Sequence, residues 1–281
     1  MTLSAKTVFG LKFKNPVLNA SGCLGFGLEF AEYCSPEILG GLVTKAVTIT
    51  PRDGNLQPRI AEFKGGMINS IGLENPGVES FCRDYYDQMT WDTNLIVNLA
   101  GKSPDEYCDL LRKLKHCGRI AAFEINVSCP NAIGGIEIGT SPELLRGLLK
   151  KIRKLTEKPL IIKLSPLVTD IAALALICQE EGADGLTLIN TLKGVAFDAA
   201  TGKPVLGNVV GGISGPCLKP LAVYCVYKVR EKVSLPIIGC GGIDCALDVR
   251  EFLIAGADLV EIGTAAFQSP WKLKQIIDDL N

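Results

Sequence analysis

Eight short apolar runs recur along this 281-residue chain, and most are followed by a segment with helical periodicity. The runs are Pro16–Gly22, Gly40–Lys45, Leu95–Gly101, Ile120–Phe123 leading into Glu124–Asn131, Leu160–Ser165, Gly185–Thr191, Pro236–Gly242 and Leu259–Thr264. Runs this short, bounded by glycine, proline or small polar residues, read as strands buried on both faces. Between them the helix signals are explicit. In Ser103-Pro104-Asp105-Glu106 the serine caps, the proline takes the first helical position and the glutamate completes a capping box. Tyr107, Leu110, Leu111 and Leu114 then share one face. Ser141-Pro142-Glu143 opens a second helix with Leu145, Leu148, Leu149 and Ile152 on its apolar face, and a third over Thr169 to Glu181 stops at Gly182. Glu180–Leu186 and Leu253–Val260 echo each other around a shared Gly-Ala-Asp, each closing a helix and opening a strand. Alternation of this kind calls for an α/β fold with a parallel sheet closed on itself, a (β/α)8 barrel of the TIM type. An open doubly wound sheet ranks behind it, because no Gly-x-Gly-x-x-Gly follows the first strand. Residues 6–14 look like a β-hairpin around Gly10, a lid on the barrel floor.

Composition narrows the class. With 47% apolar residues and 30 glycines, the chain suits a single domain over 1–281 with a large core. Lys plus Arg (29) nearly balances Asp plus Glu (30), and aromatics are 6%. Nothing here draws the chain to nucleic acid or to an anionic membrane. The first residues lack the apolar core of a signal peptide and no run is long enough for a membrane span, so the expectation is a soluble, cytoplasmic protein. The eleven cysteines show no Cys-x-x-Cys spacing. They suggest neither a disulfide framework nor a metal site, and most are expected to pack as small hydrophobes.

Two stretches break the rhythm. Arg52–Arg59 and Met67–Gly77 are rich in turn formers, and an ordered excursion of that length is usually a binding loop or a lid. A second long loop after the sixth strand contains Gly211-Gly212-Ile213-Ser214-Gly215-Pro216.

If the strands form a barrel, their C-terminal ends share one mouth, which gathers Ser21, Lys45, Asn98, Asn126, Lys163, Asn190, Gly241-Gly242 and Gly263-Thr264. The two glycine-containing pairs follow strands seven and eight, where barrels commonly hold a phosphate on backbone N–H groups. A glycine pair alone is weak evidence, since tight turns need glycine for ordinary reasons. The asparagines offer paired donors and acceptors for a planar ligand with amide edges. The one histidine, His116, falls near the floor end of its helix and reads as a helix-end cation or surface residue. Proton transfer at the mouth then falls to Cys129, to Lys45 or Lys163, or to an acid brought in by a loop. Bland alternatives stand beside these. Cys129 as one more packed cysteine fits poorly with a place between Ser128 and Pro130 at a strand end. Lys45 and Lys163 as snorkelling rim residues conflict with the apolar strands they end, where a lysine without a ligand or partner is costly. Ser21 and Gly22 suit a plain turn equally well, and Arg52 and Arg59 serve to brace the long loop.

The motifs Asn19-Ala20-Ser21-Gly22, Thr44-Lys45-Ala46-Val47-Thr48, Pro51-Arg52-x-Gly54-Asn55-x-x-Pro58-Arg59, Asn69-Ser70-Ile71-Gly72-Leu73-x-Asn75-Pro76-Gly77, Asn126-Val127-Ser128-Cys129-Pro130-Asn131, Ile189-Asn190-Thr191, Gly211–Pro216 and Gly239-x-Gly241-Gly242-Ile243 occur in one order along nearly the whole chain. In that set the sequence resembles the dihydroorotate dehydrogenases. Cysteine at position 129 is similar to class 1, since class 2 carries serine there, and the form of the 69–77 and 189–191 motifs favours the catalytic subunit of the NAD-linked type.

The resemblance implies oxidation of dihydroorotate to orotate in pyrimidine biosynthesis with bound FMN. Cys129 would be the general base at C5 while hydride passes from C6 to the flavin. A free thiol, pKa about 8.5, can serve near neutral pH where its surroundings favour the thiolate. Substrate would be held by Lys45, Asn69, Ser70, Ile71, Gly72, Leu73, Asn126, Asn190 and Thr191. FMN would be held by Ser21, Lys45, Ala46, Asn98, Asn126, Lys163, Ile189, Gly215, Gly241, Gly242, Gly263 and Thr264, with Lys163 countering charge on the reduced ring. It also implies a homodimer joined, as a heterotetramer, to an electron-transfer subunit carrying FAD and [2Fe-2S], with NAD as acceptor. Departures from the pattern are Ala46, where threonine or serine is common, Lys193-Gly194-Val195, and the loop Ala132–Gly135. Three rivals fit the same residues: an FMN-dependent dehydrogenase of dihydrouracil or dihydrothymine, a Schiff-base lyase using Lys163, and a non-catalytic phosphate or flavin binder.

Overall fold

The computed structural model describes residues 5–128, 138–269 and 271–280. Cys129 and the 132–135 loop lie outside the described residues. In chain order the strands are β1 (Lys6–Val8), β2 (Leu11–Phe13), β3 (Val17–Asn19), β4 (Gly41–Val43), β5 (Ile60–Phe63), β6 (Gly66–Asn69), β7 (Asn94–Leu99), β8 (Ile120–Asn126), β9 (Leu160–Leu164), β10 (Gly185–Leu188), β11 (Leu192–Val195), β12 (Val210–Ser214), β13 (Ile237–Cys240) and β14 (Leu259–Ile262). The helices are α1 (Gly77–Ser80), α2 (Pro104–Leu114), α3 (Pro142–Ile152), α4 (Ile171–Glu180), α5 (Lys219–Arg230), α6 (Ala246–Ile254), α7 (Thr264–Gln268) and α8 (Lys272–Leu280). Strands β3, β4, β7, β8, β9, β10, β13 and β14 close a parallel barrel, sealed where Val260 faces Val17 and Ile262 faces Asn19. The barrel expected from the sequence is therefore present. Only short helical turns, Leu28–Phe30 and Pro36–Ile38, bridge β3 to β4.

The hairpin of β1 and β2 closes the floor. Val8 and Phe13 pack on Leu18, Val43, Ile96, Ala122, Ile161, Ile238 and Leu259, one from each of seven barrel strands. Phe9 leans in beside them, and Gly185 at the head of β10 makes room: a Cβ there would sit 2.2 Å from the Phe9 ring. Inward side chains recur every second residue along a strand. One step above this apolar layer the same strands therefore present Asn98, Glu124, Lys163, Cys240 and Glu261, all buried. This polar layer is the base of the mouth.

The Gly-Ala-Asp echo has a structural cause. Asp184 accepts from Leu160 N (2.8 Å) and from Arg153 Nη1 (2.6 Å), while Asp258 accepts from Ile237 N (3.1 Å) and from Arg230 Nη2 (2.9 Å). In both repeats an aspartate pins the start of the preceding barrel strand and is held by an arginine from the helix or turn that precedes that strand. The cap of α2 differs slightly from the expected box. Ser103 Oγ accepts from Glu106 N at 3.3 Å, but Glu106 reaches back to Lys102 N (2.7 Å), one residue earlier.

The two excursions are not plain loops. They supply a four-stranded antiparallel sheet ordered β11-β12-β6-β5, in which Asn69 pairs with Gly212 and Leu192 with Ile213. Lys64-Gly65, with Gly65 at φ +91°, turns β5 into β6. Because β11 begins four residues after β10 ends, the sheet rises from the mouth side of the barrel. Lys193-Gly194-Val195 lies inside β11.

Candidate active site

The site is built on the polar layer. Lys163 Nζ lies 2.7 Å from Glu261 Oε2 and 3.6 Å from Glu124 Oε1. Glu124 also accepts from Asn98 Nδ2 (2.6 Å) and Thr187 Oγ1 (2.7 Å). Burial opposes the lysine's charge, but Glu124 and Glu261 outweigh it and hold the ammonium well above its ordinary pKa. Glu124, despite burial, is kept below the usual carboxylate range by Lys163 and its hydrogen bonds. Burial, then the charge of Glu124, pushes Glu261 well above that range. Among the described residues no hydrogen-bond donor reaches the buried Asn98 Oδ1 or Glu261 Oε1.

Above this layer an arc of amides continues. Asn126 Oδ1 accepts from Ser128 N (3.1 Å) and Asn190 Nδ2 (3.3 Å), and Asn190 Oδ1 accepts from Thr191 N (2.8 Å). Thr191 abuts Gly212, where a Cβ would fall 2.3 Å from its Oγ1, and Asn69 Nδ2 donates to Gly212 O at 3.3 Å. Asn69, Thr191, Asn190 and Asn126, drawn from β6, the start of the β11 excursion and β8, thus form one continuous line. Residues 70–73 follow directly. Ser70 Oγ accepts from Asn55 Nδ2 (2.7 Å), Ile71 O accepts from Asn55 N (3.0 Å), and Gly72 and Leu73 both adopt positive φ. Arg59 braces the same loop through Asn55 O (2.5 Å), Asp53 O (2.7 Å) and Glu74, a bracing part for that arginine rather than a ligand contact.

The remaining expected residues converge in smaller groups. Lys45 rests 4.6 Å from the centre of the Phe26 ring and 3.5 Å from Glu29 Oε1, and Ala46 behind it is buried. Ser21 Oγ donates to Thr44 O at 2.9 Å. Ile189 lies 3.8 Å from the position of a Cβ on Gly241. Gly242, at φ +77°, presses on the first turn of α5, where a Cβ would come within 2.6 Å of Lys219 N. Ser214, next to Gly215, is bonded to Thr264 Oγ1 at 2.9 Å, and Gly263 faces Ala20 and Cys23. The loops after β3, β12 and β14 therefore meet, and the loop after β13 packs on α5 beside Ile189. His116 is exposed beyond the end of α2, as expected from its position.

Sequence reasoning gave no role to Glu124, Glu261, Thr187 or Asn75. Asn75 takes Gly77 N on Oδ1 (2.9 Å) and gives Nδ2 to Leu73 O (2.7 Å), so it fixes the exit of the 69–73 loop. The signal for the glutamates was available: each stands at an inward position of an apolar strand, and an inward lysine needs a counter-ion.

Fold and site together define a (β/α)8-barrel enzyme with a buried charged base and an amide-lined mouth. The family model for dihydroorotate dehydrogenase matches residues 3–281, and the chain belongs to that family of oxidoreductases. Curated relatives called dihydroorotate dehydrogenase B (NAD(+)), catalytic subunit, include that of Anoxybacillus flavithermus, 45% identical over 96% of this chain and 88% of the relative. That of Oceanobacillus iheyensis is 45% identical over 100% of this chain and 92% of the relative, and that of Pelobacter propionicus 46% over 95% and 88%. Among solved structures, the dihydroorotate dehydrogenase of Eimeria tenella in complex with ferulenol superposes with a TM-score of 0.78 at 25% identity, covering 98% of this chain and 83% of that one. No helix among the described residues is long and apolar enough to cross a membrane.

Proposed function

We propose that this chain is the catalytic subunit of an NAD-linked dihydroorotate dehydrogenase, a single FMN-binding barrel domain that oxidises dihydroorotate to orotate in pyrimidine biosynthesis. The family match over residues 3–281 carries the reading, and the similarity to NAD-linked catalytic subunits, 45% identical over nearly the whole chain, supports the subtype. The site residues fit a flavin. Asn98 Oδ1 is a buried acceptor that meets no donor among the described residues, and heterocycle N–H groups are such donors. Bound FMN would supply a two-electron acceptor for the hydride leaving C6 of the substrate. The loops carrying Ser21, Gly215, Gly241-Gly242 and Gly263-Thr264 would take its phosphate, and Asn98, Asn126, Lys163 and Ile189 its ring, with Lys45-Ala46 at the margin.

The chain's own groups would do the rest. Cys129, one residue beyond the described end of the β8 loop, would remove the proton from C5. The amide arc Asn69, Asn126, Asn190 and Thr191 would orient the dihydropyrimidine ring, and the 70–73 backbone and Lys45 would hold its carboxylate. Lys45 is suited to that exchange of partners, since its present ion pair with Glu29 is long and partly solvated. The buried Lys163, with two carboxyl partners, is a poor Schiff-base nucleophile, because an amine held well above its ordinary pKa stays protonated. That favours the dehydrogenase over a lyase.

The partner arrangement belongs to the same proposal: a homodimer of this chain bound to a subunit carrying FAD and [2Fe-2S], located in the cytoplasm. The test is anaerobic titration of the purified yellow protein. Dihydroorotate is expected to bleach the FMN band within one equivalent, and dihydrouracil and dihydrothymine are not. A protein bleached by dihydrouracil would move the assignment to the rival dehydrogenase. A colourless protein trapped by borohydride would move it to the lyase, and a yellow one that no dihydropyrimidine bleaches to a binder. NAD reduction only after addition of the partner subunit, with fumarate inert, would support the NAD-linked subtype.

A further inference from the structure

The barrel interior encloses two carboxyls and one ammonium. Glu124 is 1% exposed, Glu261 0% and Lys163 6%. Among the described residues Lys163 is the one cation paired with either carboxyl, at 2.7 Å from Glu261 and 3.6 Å from Glu124. Were all three charged, the interior would carry a net negative charge without compensation, which burial strongly disfavours. Two carboxyls sharing one buried cation therefore retain one proton between them.

Hydrogen bonds indicate where that proton rests. Both oxygens of Glu124 have donors, Asn98 Nδ2 at 2.6 Å and Thr187 Oγ1 at 2.7 Å, which suits an ionised acceptor. Glu261 has Lys163 on Oε2, and among the described residues no donor reaches its Oε1; its contact with the Glu124 carboxyl lowers Glu124 and raises Glu261, as expected when the proton sits on Glu261. Among the described residues, the other titratable groups facing the cluster are the thiols of Cys23, on the loop after β3, and Cys240, at the end of β13. Burial pushes both upward, Cys23 to about 12, so neither supplies a charge at neutral pH.

We propose that Glu124 and Glu261 form a one-proton pair that acts as a shared, single-charge counter-ion to Lys163 and so sets the positive charge that the barrel presents to bound flavin. The flavin half of this inference rests on the FMN reading above. Both glutamates are positioning residues that act through Lys163. The pairing has a distinctive consequence. In Glu124→Gln the proton on Glu261 is released to solvent and Glu261 becomes the counter-ion, whereas in Glu261→Gln the ionised Glu124 remains. Either single substitution conserves one negative charge beside Lys163, and only the double substitution leaves the ammonium unopposed.

The test is the flavin reduction potential of the purified holoprotein, measured by anaerobic dye titration in the wild type, both single variants and the double variant. Each single substitution is expected to change the oxidised-to-reduced equilibrium less than about threefold. The double is expected to favour the reduced form at least tenfold, about 30 mV for a two-electron couple. Two single shifts that add to the double shift would overturn the shared counter-ion. Should the double variant not fold, infrared spectroscopy of the wild type and Glu261→Gln decides the matter. One protonated, buried carboxylic acid band is expected at neutral pH and is lost in the variant, while its absence from the wild type overturns the pair. The infrared result does not depend on flavin, so a protein that purifies without FMN would refute the cofactor reading and the flavin half of the inference separately from the proton pair.

Discussion

Lys163 on β9 and Glu261 on β14 are 98 residues apart in the chain, yet their side chains meet at 2.7 Å across the barrel interior, over the intervening β10 and β13. Their meeting couples stability to pH. Glu261 has a raised folded-state pKa, so between the unfolded value, about 4.3, and the folded one the native state holds a proton that the unfolded chain has lost. Stability from this residue therefore falls as pH rises through that window. Glu124 works oppositely: its lowered pKa contributes stability that is present above the unfolded value and is lost as pH falls through the folded one. Lys163, raised, contributes stability that is complete below its unfolded value and disappears as pH rises through the folded one.

Glu261→Gln keeps the shape and removes the titration. As pH rises above the unfolded value of about 4.3 toward the folded one, the wild type should lose stability relative to this variant by up to about 1.4 kcal/mol per pH unit, the full weight of one proton. Urea unfolding at several pH values measures it, and parallel curves for the two proteins would refute the assignment of the raised pKa to Glu261.

The floor hairpin is a purely structural element, and Phe13 is its most buried contact. Phe13→Ala should cost about 3–5 kcal/mol through lost burial and the cavity left behind. Below the lowered unfolding midpoint, flavin reduction by dihydroorotate should proceed at the wild-type rate, because the apolar layer separates Phe13 from the polar one. A slowed reduction in folded protein would show that the floor reaches the site.

The barrel was readable because its signals are local. Strand periodicity, Ser-Pro helix starts such as Ser103-Pro104, and the Gly-Ala-Asp repeats are each written within a few residues. The antiparallel sheet was not, because β6 pairs with β12 across more than 140 residues. A turn-rich stretch such as Arg52–Arg59 looks the same whether or not a remote partner exists. Lys163 was found at its strand end, but its counter-ions were missed for a related reason. Glu124 and Glu261 look like isolated acids in apolar strands until closure of the barrel faces them on one lysine. The amide arc was half legible: Asn126 and Asn190 were placed at one mouth by strand position, whereas the link from Asn69 through Gly212 to Thr191 depends on the long-range sheet.

Cys129 is the proposed base at C5. Cys129→Ala should retain FMN and slow its reduction by dihydroorotate 10²- to 10⁴-fold, on the order expected for a lost general base. Cys129→Ser should recover part of that loss only at higher pH, since a hydroxyl is a far weaker acid than a thiol. Stopped-flow absorbance of the flavin reads both, and wild-type reduction in the alanine variant would exclude the cysteine.

Asn55 offers a way to separate substrate positioning from chemistry. It touches no proposed reacting atom, but its Nδ2 holds Ser70 Oγ at 2.7 Å and its backbone N–H holds Ile71 O at 3.0 Å. Asn55→Ala preserves the backbone bond and removes both side-chain bonds, to Ser70 Oγ and to Ser70 O (3.3 Å), leaving the buried Ser70 hydroxyl without this donor. Such a loss costs about 1–3 kcal/mol, and it falls on the 69–73 loop, whose Gly72 and Leu73 hold positive φ and so rely on bracing from outside. A looser loop binds ground state and transition state alike less well. KM for dihydroorotate should therefore rise about 5- to 50-fold with kcat changed less than about threefold, and the flavin reduction potential should not move. Asn55→Asp, which keeps an acceptor for the Ser70 hydroxyl, should recover part of the KM loss. A fall in kcat with KM intact would instead place the 69–73 loop in the chemical step.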